Sequence, residues 1–147
     1  MDCAKVSAGM AAAANTAASS QRDECFIKCG PLQAATAADA EAIHALVTSH
    51  LDEGHLLPRA LDELRVHAER FLVCDVAGDI IGCAELAPLS PKVAEVRSLV
   101  VSRDFRGVRL AHRLVSELRA RALTLGFDTL TAFTHDARFF VRQGFSI

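Results

Sequence analysis

One change of period constrains this chain more than anything else in it. From Val93 to Val101 the residues are β-branched and apolar with Glu95 and Arg97 at alternate positions, the pattern of a strand inside a sheet. From Leu110 the apolar residues recur at three- and four-residue steps, as Leu110, Ala111, Leu114, Val115, Leu118, Ala122 and Leu125. Arg113, Glu117, Arg119 and Arg121 fill the other side, and Gly126 ends the run. Between strand and helix lies a short basic corner, Ser102 to Arg109, with Gly107 at its tightest point. A strand that turns sharply into a helix directs the helix's unpaired N–H groups at one spot, and such a spot binds anions, phosphates above all. No packing role for the three arginines of this corner, Arg103, Arg106 and Arg109, is legible in the sequence.

The 147 residues suit one domain, and the 51% of hydrophobic residues suffice for a core. A net charge of −2 lacks the basic excess of a nucleic-acid binder. Five cysteines, at 3, 25, 29, 74 and 83, form an odd set, and three lie in strand-like apolar runs. Free thiols in a reducing compartment are the simplest account, and no Cys/His spacing of a zinc site accompanies Cys25 and Cys29, so no metal is expected. No apolar run has the length of a membrane span. A soluble, cytoplasmic protein is expected. Residues 1–23, rich in Ala and Ser, read as a flexible tail, with the domain running from 24 to 147.

Along that domain, Cys25 to Leu32 reads as a first strand. Thr36 caps a helix carrying Ile43, Leu46, Val47 and Leu51 on its apolar face. A second helix is expected over Pro58 to Arg70. Phe71 to Ala77 and Asp79 to Ala87 form a hairpin hinged at Gly78-Asp79. After the central strand and helix come a strand at Thr129 to Thr134, a short helix from Asp136 to Gln143, and the start of another strand at Phe145.

The loop Arg106-Gly107-Val108-Arg109-Leu110-Ala111 resembles the pyrophosphate loop of the GNAT superfamily of N-acetyltransferases, with Arg109 standing where the family has its central glycine. The stretches LLPRALDEL, IIGCAELAP, EVRSLVV and FTHDARFFVRQGF, in that order, are similar to the acetyltransferase domain of short bacterial N-acetylglutamate synthases. The resemblance implies an α+β fold with a mixed sheet, here apparently without its last strand. Either that sheet edge is left open, or a partner chain supplies the strand in a homodimer.

It further implies acetyl-CoA as cosubstrate, held by the loop residues Arg106 to Ala111, by main-chain groups of Leu99, Val100 and Val101, and by Thr134 and Phe139 beside the pantetheine arm. The implied reaction transfers the acetyl group to the α-amine of glutamate, with Arg59, Arg97 and His135 facing substrate and Glu85 or Glu95 accepting the proton. For Arg59, Arg97, Glu85 and Glu95 a salt bridge is an equal reading, and for His135 a loop-capping role. Many relatives protonate the leaving thiolate with a tyrosine, and this chain has none. Two other readings stay open: the same chemistry on another small amine or a protein amine, and a non-catalytic acyl-CoA-binding module.

Overall fold

The computed structural model describes residues 3–10, 30–107 and 109–147. In chain order the elements are β1 (Ala4–Gly9), β2 (Gln33–Ala34), α1 (Ala40–Ser49), α2 (Leu61–Val66), β3 (Phe71–Val76), β4 (Asp79–Pro88), β5 (Val93–Val101), α3 (Leu110–Thr124), β6 (Thr129–Thr134) and α4 (Ala137–Arg142). The six strands form one sheet in the order β1-β6-β5-β4-β3-β2. All neighbours are antiparallel except β5 and β6, which are joined through α3 and run parallel, as expected of a strand–helix–strand crossover.

Each face of the sheet buries its own core. Leu110, Leu114, Val115 and Leu118 of α3 pack with Leu72, Leu86, Val96 and Leu130 on one face. On the other, Ile43, Leu46 and Val47 of α1 and Leu64 of α2 cover Phe71, Val73, Cys83 and Val100. The hairpin turn falls at Ala77 and Gly78, both at positive φ (53° and 88°), the pair a type I′ turn requires. Thr36 enters the first helix as expected, its main-chain N–H donating to the Asp39 carboxylate at 2.8 Å.

Three expectations are corrected. The second helix is shorter than Pro58 to Arg70: α2 begins at Leu61 after an extended Ala60 (ψ 136°), because Arg59 turns inward to ion-pair partners described below. Of the strand expected over Cys25 to Leu32, residues 25–29 lie outside the described residues and 30–32 are not strand; the strand ahead of α1 is β2, Gln33–Ala34.

The largest correction concerns the N-terminal segment and the sheet edge. Ala4–Gly9 belongs to the sheet and not to a tail, pairing antiparallel along all of β6 from Ala4↔Thr134 to Gly9↔Thr129. The edge expected to be open, or filled by a second chain, is therefore occupied by the chain's own β1. Val6 is fully buried there, and Thr131 donates to its carbonyl at 2.7 Å. Ser7 and Ser146 exchange main-chain hydrogen bonds at 2.9 and 2.8 Å, tying both ends of the chain together. Loss of two buried carbons in Val6→Ala is expected to lower unfolding free energy by about 2 kcal/mol, read from the urea midpoint. A change below about 0.5 kcal/mol would mean that β1 is not part of the folded core.

Candidate active site

The cleft originates in two departures from regular sheet. Pairing between β5 and β6 covers only Val93 to Val96 against Thr129 to Ala132, so from Arg97 and Phe133 onward the two strands part. On its other side β5 carries a bulge, because Glu85 faces Arg97 while Cys83 faces Val100, leaving Ser98 and Leu99 opposite Ala84 alone. Glu95, Arg97 and Val100 thus share the α1/α2 side of the sheet, and Val96, Leu99 and Val101 the α3 side. Ser98 sits at φ 49°, unusual for a residue with a Cβ. The resulting cleft, about 1010 Å³, is lined by β5 from Glu95 to Val101, by Phe133 to Asp136 after β6, and by the segment Glu53 to Arg59.

At one end lies the basic corner. Gly107 takes φ 85° and Arg109, the N-cap of α3, takes φ 59°. Arg109 therefore adopts the left-handed conformation that glycine adopts without strain, at a cost of about 1–2 kcal/mol. Val108 between them lies outside the described residues. Among the described residues, the side chain of the N-cap Arg109 makes no capping hydrogen bond to α3, and the first turn holds no acidic residue. Leu110 anchors that turn beneath the sheet: a Cβ on Gly82 would stand 2.9 Å from Leu110 Cδ2, so only glycine lets the helix approach this closely. Ala111 faces the cleft. An open helix start, a positive-φ turn and a small residue fit a diphosphate, which is how this corner can hold CoA.

Two arginines of the corner, Arg103 and Arg106, do have a packing role. Glu53 receives two hydrogen bonds from Arg106, both at 2.8 Å, and Arg103 pairs with Asp52 and Glu53 at 2.8 and 3.0 Å. They tie the loop after α1 to the end of β5. The hydrogen bond from Arg106, reinforced by the charges of Arg106 and Arg103, holds the Glu53 carboxyl below the usual carboxylate range.

The acceptor side is built on Arg59. Its Nη1 donates to Glu85 at 2.6 Å and to the Ser98 hydroxyl at 2.7 Å, and its Nη2 to Glu63 at 2.7 Å. Glu85 is 1% exposed and does not line the cleft. Burial works against the Arg59 charge, but the hydrogen bonds to Glu85 and Glu63 outweigh it and hold the guanidinium protonated above its usual range. Beneath the bulge the Cys83 thiol donates to the Ser98 carbonyl at 3.5 Å, and burial pushes that thiol up to about 12.

Arg97 stands differently. Its side chain is 44% exposed at the cleft, and among the described residues only its Nε is engaged, by Glu95 at 2.8 Å. Of the two carboxylates considered as proton acceptors, Glu95 lines the cleft and Glu85 does not. His135 is at the mouth, its ring 6.0 Å from that of His55. Thr134 accepts a hydrogen bond from the Asp136 N–H at 2.9 Å, and Phe139 packs edge-on against Phe140 at 5.1 Å.

The structure thus gathers Arg59, Glu95, Arg97, Leu99, Val100, Val101, Arg106, Ala111, Thr134, His135 and Phe139 around one cleft, leaves Glu85 behind it, and sets Gly107, Arg109 and Leu110 around a smaller pocket beside it. The sequence gives no sign of Ser98, Cys83 or Glu53, because a bulge and a cross-loop ion pair have no local pattern. Among the described residues no group of three or more His, Cys, Asp and Glu could hold a metal ion, and no helix is long and apolar enough to cross a membrane.

The model of the Acetyltransferase (GNAT) family matches residues 37–145. The chain belongs to the acetyltransferase (GNAT) family. It is an N-acetyltransferase of the GNAT type, with acetyl-CoA as cosubstrate. It is 33% identical over 108 residues to the uncharacterized N-acetyltransferase CT2212 of Chlorobaculum tepidum, an alignment covering 74% of this chain and 70% of that protein. It is 30% identical over 118 residues to the amino-acid acetyltransferase of Shewanella oneidensis, covering 79% of this chain but only 26% of that protein. The chain thus spans about a quarter of the amino-acid acetyltransferases it matches. Among solved structures, Rv2747 of Mycobacterium tuberculosis, in complex with CoA, superposes with a TM-score of 0.73 at 28% identity, covering 79% of this chain and 71% of that one. N-acetylglutamate synthase of Neisseria gonorrhoeae, at 24% identity and a TM-score of 0.72, shares the fold.

The GNAT domain should lose stability on acidification in two stages. Burial first, then the charges of Arg109 and Arg119, hold His112 below its usual value, so the unfolded chain takes up that proton more readily. Stability falls as pH drops through the ordinary histidine value of about 6.5. Glu63 is held low by its hydrogen bond from Arg59, and Glu53 likewise by Arg106. Their contributions are present above the usual carboxylate value of about 4.3 and vanish as pH falls through the depressed ones. Urea midpoints measured from pH 7.5 to 3 should show both stages, and His112→Gln should remove the first alone.

Proposed function

We propose that this GNAT enzyme transfers the acetyl group of acetyl-CoA to the α-amine of an amino acid, with L-glutamate the preferred acceptor. The observation that carries this reading is Arg97, a half-exposed residue lining the cleft whose guanidinium is engaged at Nε by Glu95, a group of the kind that pairs with a carboxylate. The printed names of the relatives, amino-acid acetyltransferases, support it. Acetyl-CoA contributes an activated acyl carbon as its thioester.

A free α-amine has a pKa of roughly 7.7–8.0, so a neutral nitrogen is accessible near neutrality without a strong base. In this reading the nitrogen forms the new C–N bond as the C–S bond breaks, and the electron pair leaves on sulfur. Glu95, directly or through water, receives the proton lost by nitrogen. Main-chain N–H groups at the bulge, Leu99 and Val100 among them, face the charge that grows on the acyl oxygen. A thiol has an unperturbed pKa of about 8.5, so the thiolate departs without a side-chain acid and takes its proton from solvent. The resemblance implies that Phe139 and Phe140 take the place of the tyrosine many relatives use there. His135 and His55 at the mouth are placed to meet a second carboxylate.

Removing the fork in Arg97→Met is expected to raise KM for a carboxylate-bearing acceptor on the order of 30-fold, about 2 kcal/mol, with KM for acetyl-CoA unchanged. The decisive assay follows CoA release with L-glutamate, glycine and spermidine. Preference for glutamate supports the reading, and equal rates on all three would discard it. A second reading, a different small amine as acceptor, is favoured by one observation: Arg59 is spent on the protein's own groups, leaving Arg97 as the open guanidinium at the acceptor end.

A further inference from the structure

The resemblance assigns Arg59 to the substrate, but its geometry points elsewhere. Three of its hydrogen bonds end on Glu85, Ser98 and Glu63, and its side chain is 9% exposed. The guanidinium also lies over the Phe71 ring at 5.7 Å. Both Nη1 donors and one of the two on Nη2 are spent within the protein, so the paired fork that would grip a carboxylate is already engaged.

The residue that Arg59 grips is the unusual one. Ser98 holds φ 49° in the middle of β5, at the bulge, with no partner in the β4 ladder and none in the β6 ladder. A non-glycine residue there is strained and persists only where its surroundings over-determine it. Two contacts do so, the Arg59 guanidinium on its hydroxyl and the Cys83 thiol on its carbonyl. Glu85, on the strand beside it, holds Arg59 from behind. The bulge is what turns Leu99 away from the face of Arg97 and leaves Ser98 and Leu99 out of register beside the cleft.

We infer that Arg59, carried on Glu85, is a positioning residue that pins Ser98 in its left-handed conformation and so sets the main-chain donors of the bulge, and is not a ligand of the acceptor. This rests on the acyl-transfer reading of the same cleft. It makes distinct demands on kcat and KM, because a donor array that has lost its aim weakens the transition state for every acceptor alike.

The test compares Ser98→Ala with Ser98→Gly, then the neutral pair Arg59→Met/Glu85→Gln with and without Ser98→Gly. Alanine loses the Arg59 contact yet keeps the strain, whereas glycine loses the contact and the strain together. The expected kcat of Ser98→Gly exceeds that of Ser98→Ala about tenfold. In the neutral pair, kcat falls at least tenfold with KM for the acceptor within threefold, and adding Ser98→Gly recovers at least fivefold. A tenfold rise in acceptor KM at unchanged kcat, with no recovery by glycine, would overturn the inference and return Arg59 to the substrate. Amide hydrogen exchange over Val96 to Val101 separates this from the fate of the acyl-transfer reading. The neutral pair should speed exchange there at least fivefold whether or not any amine is acetylated, and unchanged exchange refutes the pinning role. Should the neutral pair fail to fold, the Ser98→Ala and Ser98→Gly comparison decides alone.

Discussion

Arg59→Ala is expected to destabilise the folded protein by about 3–5 kcal/mol, the largest effect on stability of any single change described for it. The reason is Glu85: at 1% exposure its carboxylate has Arg59 as its ion-pair partner at 2.6 Å, and removal of that partner strands a buried charge. Replacing both by neutral residues of similar shape removes the stranded charge, so Arg59→Met/Glu85→Gln should lie within about 1.5 kcal/mol of the wild type. Urea denaturation of the two variants checks the pair. If Arg59→Ala lost less than about 1 kcal/mol, the Arg59–Glu85 pair would not be a buried ion pair, and the architecture of this side of the cleft would need revision.

Ala111→Glu should abolish acetyl-CoA binding while leaving the fold intact. Ala111 stands in the first turn of α3 and faces the cleft beside the loop from Arg106 to Leu110. If this corner holds the diphosphate, as we propose, a carboxylate there meets it, and like charges in contact cost several kcal/mol. The expected result by calorimetric titration is a loss of more than 100-fold in affinity, about 3 kcal/mol. The same carboxylate suits the positive end of a helix, and α3 has no acidic residue in its first turn, so the unfolding midpoint should hold or rise slightly. Retained binding would place the cofactor away from this corner and remove the foundation of the site.

These two variants probe opposite ends of one cleft, and the ends differed in how far they could be read from sequence. The strand, basic corner and helix were legible because they are contiguous: a β-branched strand, a turn with Gly107 and an amphipathic helix follow one another within some thirty residues. Each carries its own local period. Arg109 is the instructive departure. Arg109 takes the left-handed conformation that favours glycine, at a position where the resemblance implies one.

The acceptor end could not be read this way. Arg59, Glu85 and Ser98 are 26 and 39 residues apart in their pairings, and nothing local marks Ser98 as the point where β5 breaks register. Glu85 looked equivalent to Glu95, since both alternate with apolar residues on a strand. Only the packing of α2 against the sheet decides that one carboxylate faces the cleft and the other is buried behind Arg59. The residues of β1 were equally silent: AKVSAG contains a single large apolar side chain, too little for a strand pattern, and it becomes a strand because β6 offers a full ladder of partners.

By itself, then, the order of residues determined the mixed α+β fold, the crossover through α3 and the basic corner, because hydrophobic period and turn chemistry act over a few residues at a time. The tertiary structure alone decided which side chains reach the cleft, that β1 closes the sheet, and that Ser98 is held in a strained bend. Those outcomes depend on burial and ion pairing between segments far apart in the chain, and free energy of that kind leaves no trace in local spacing.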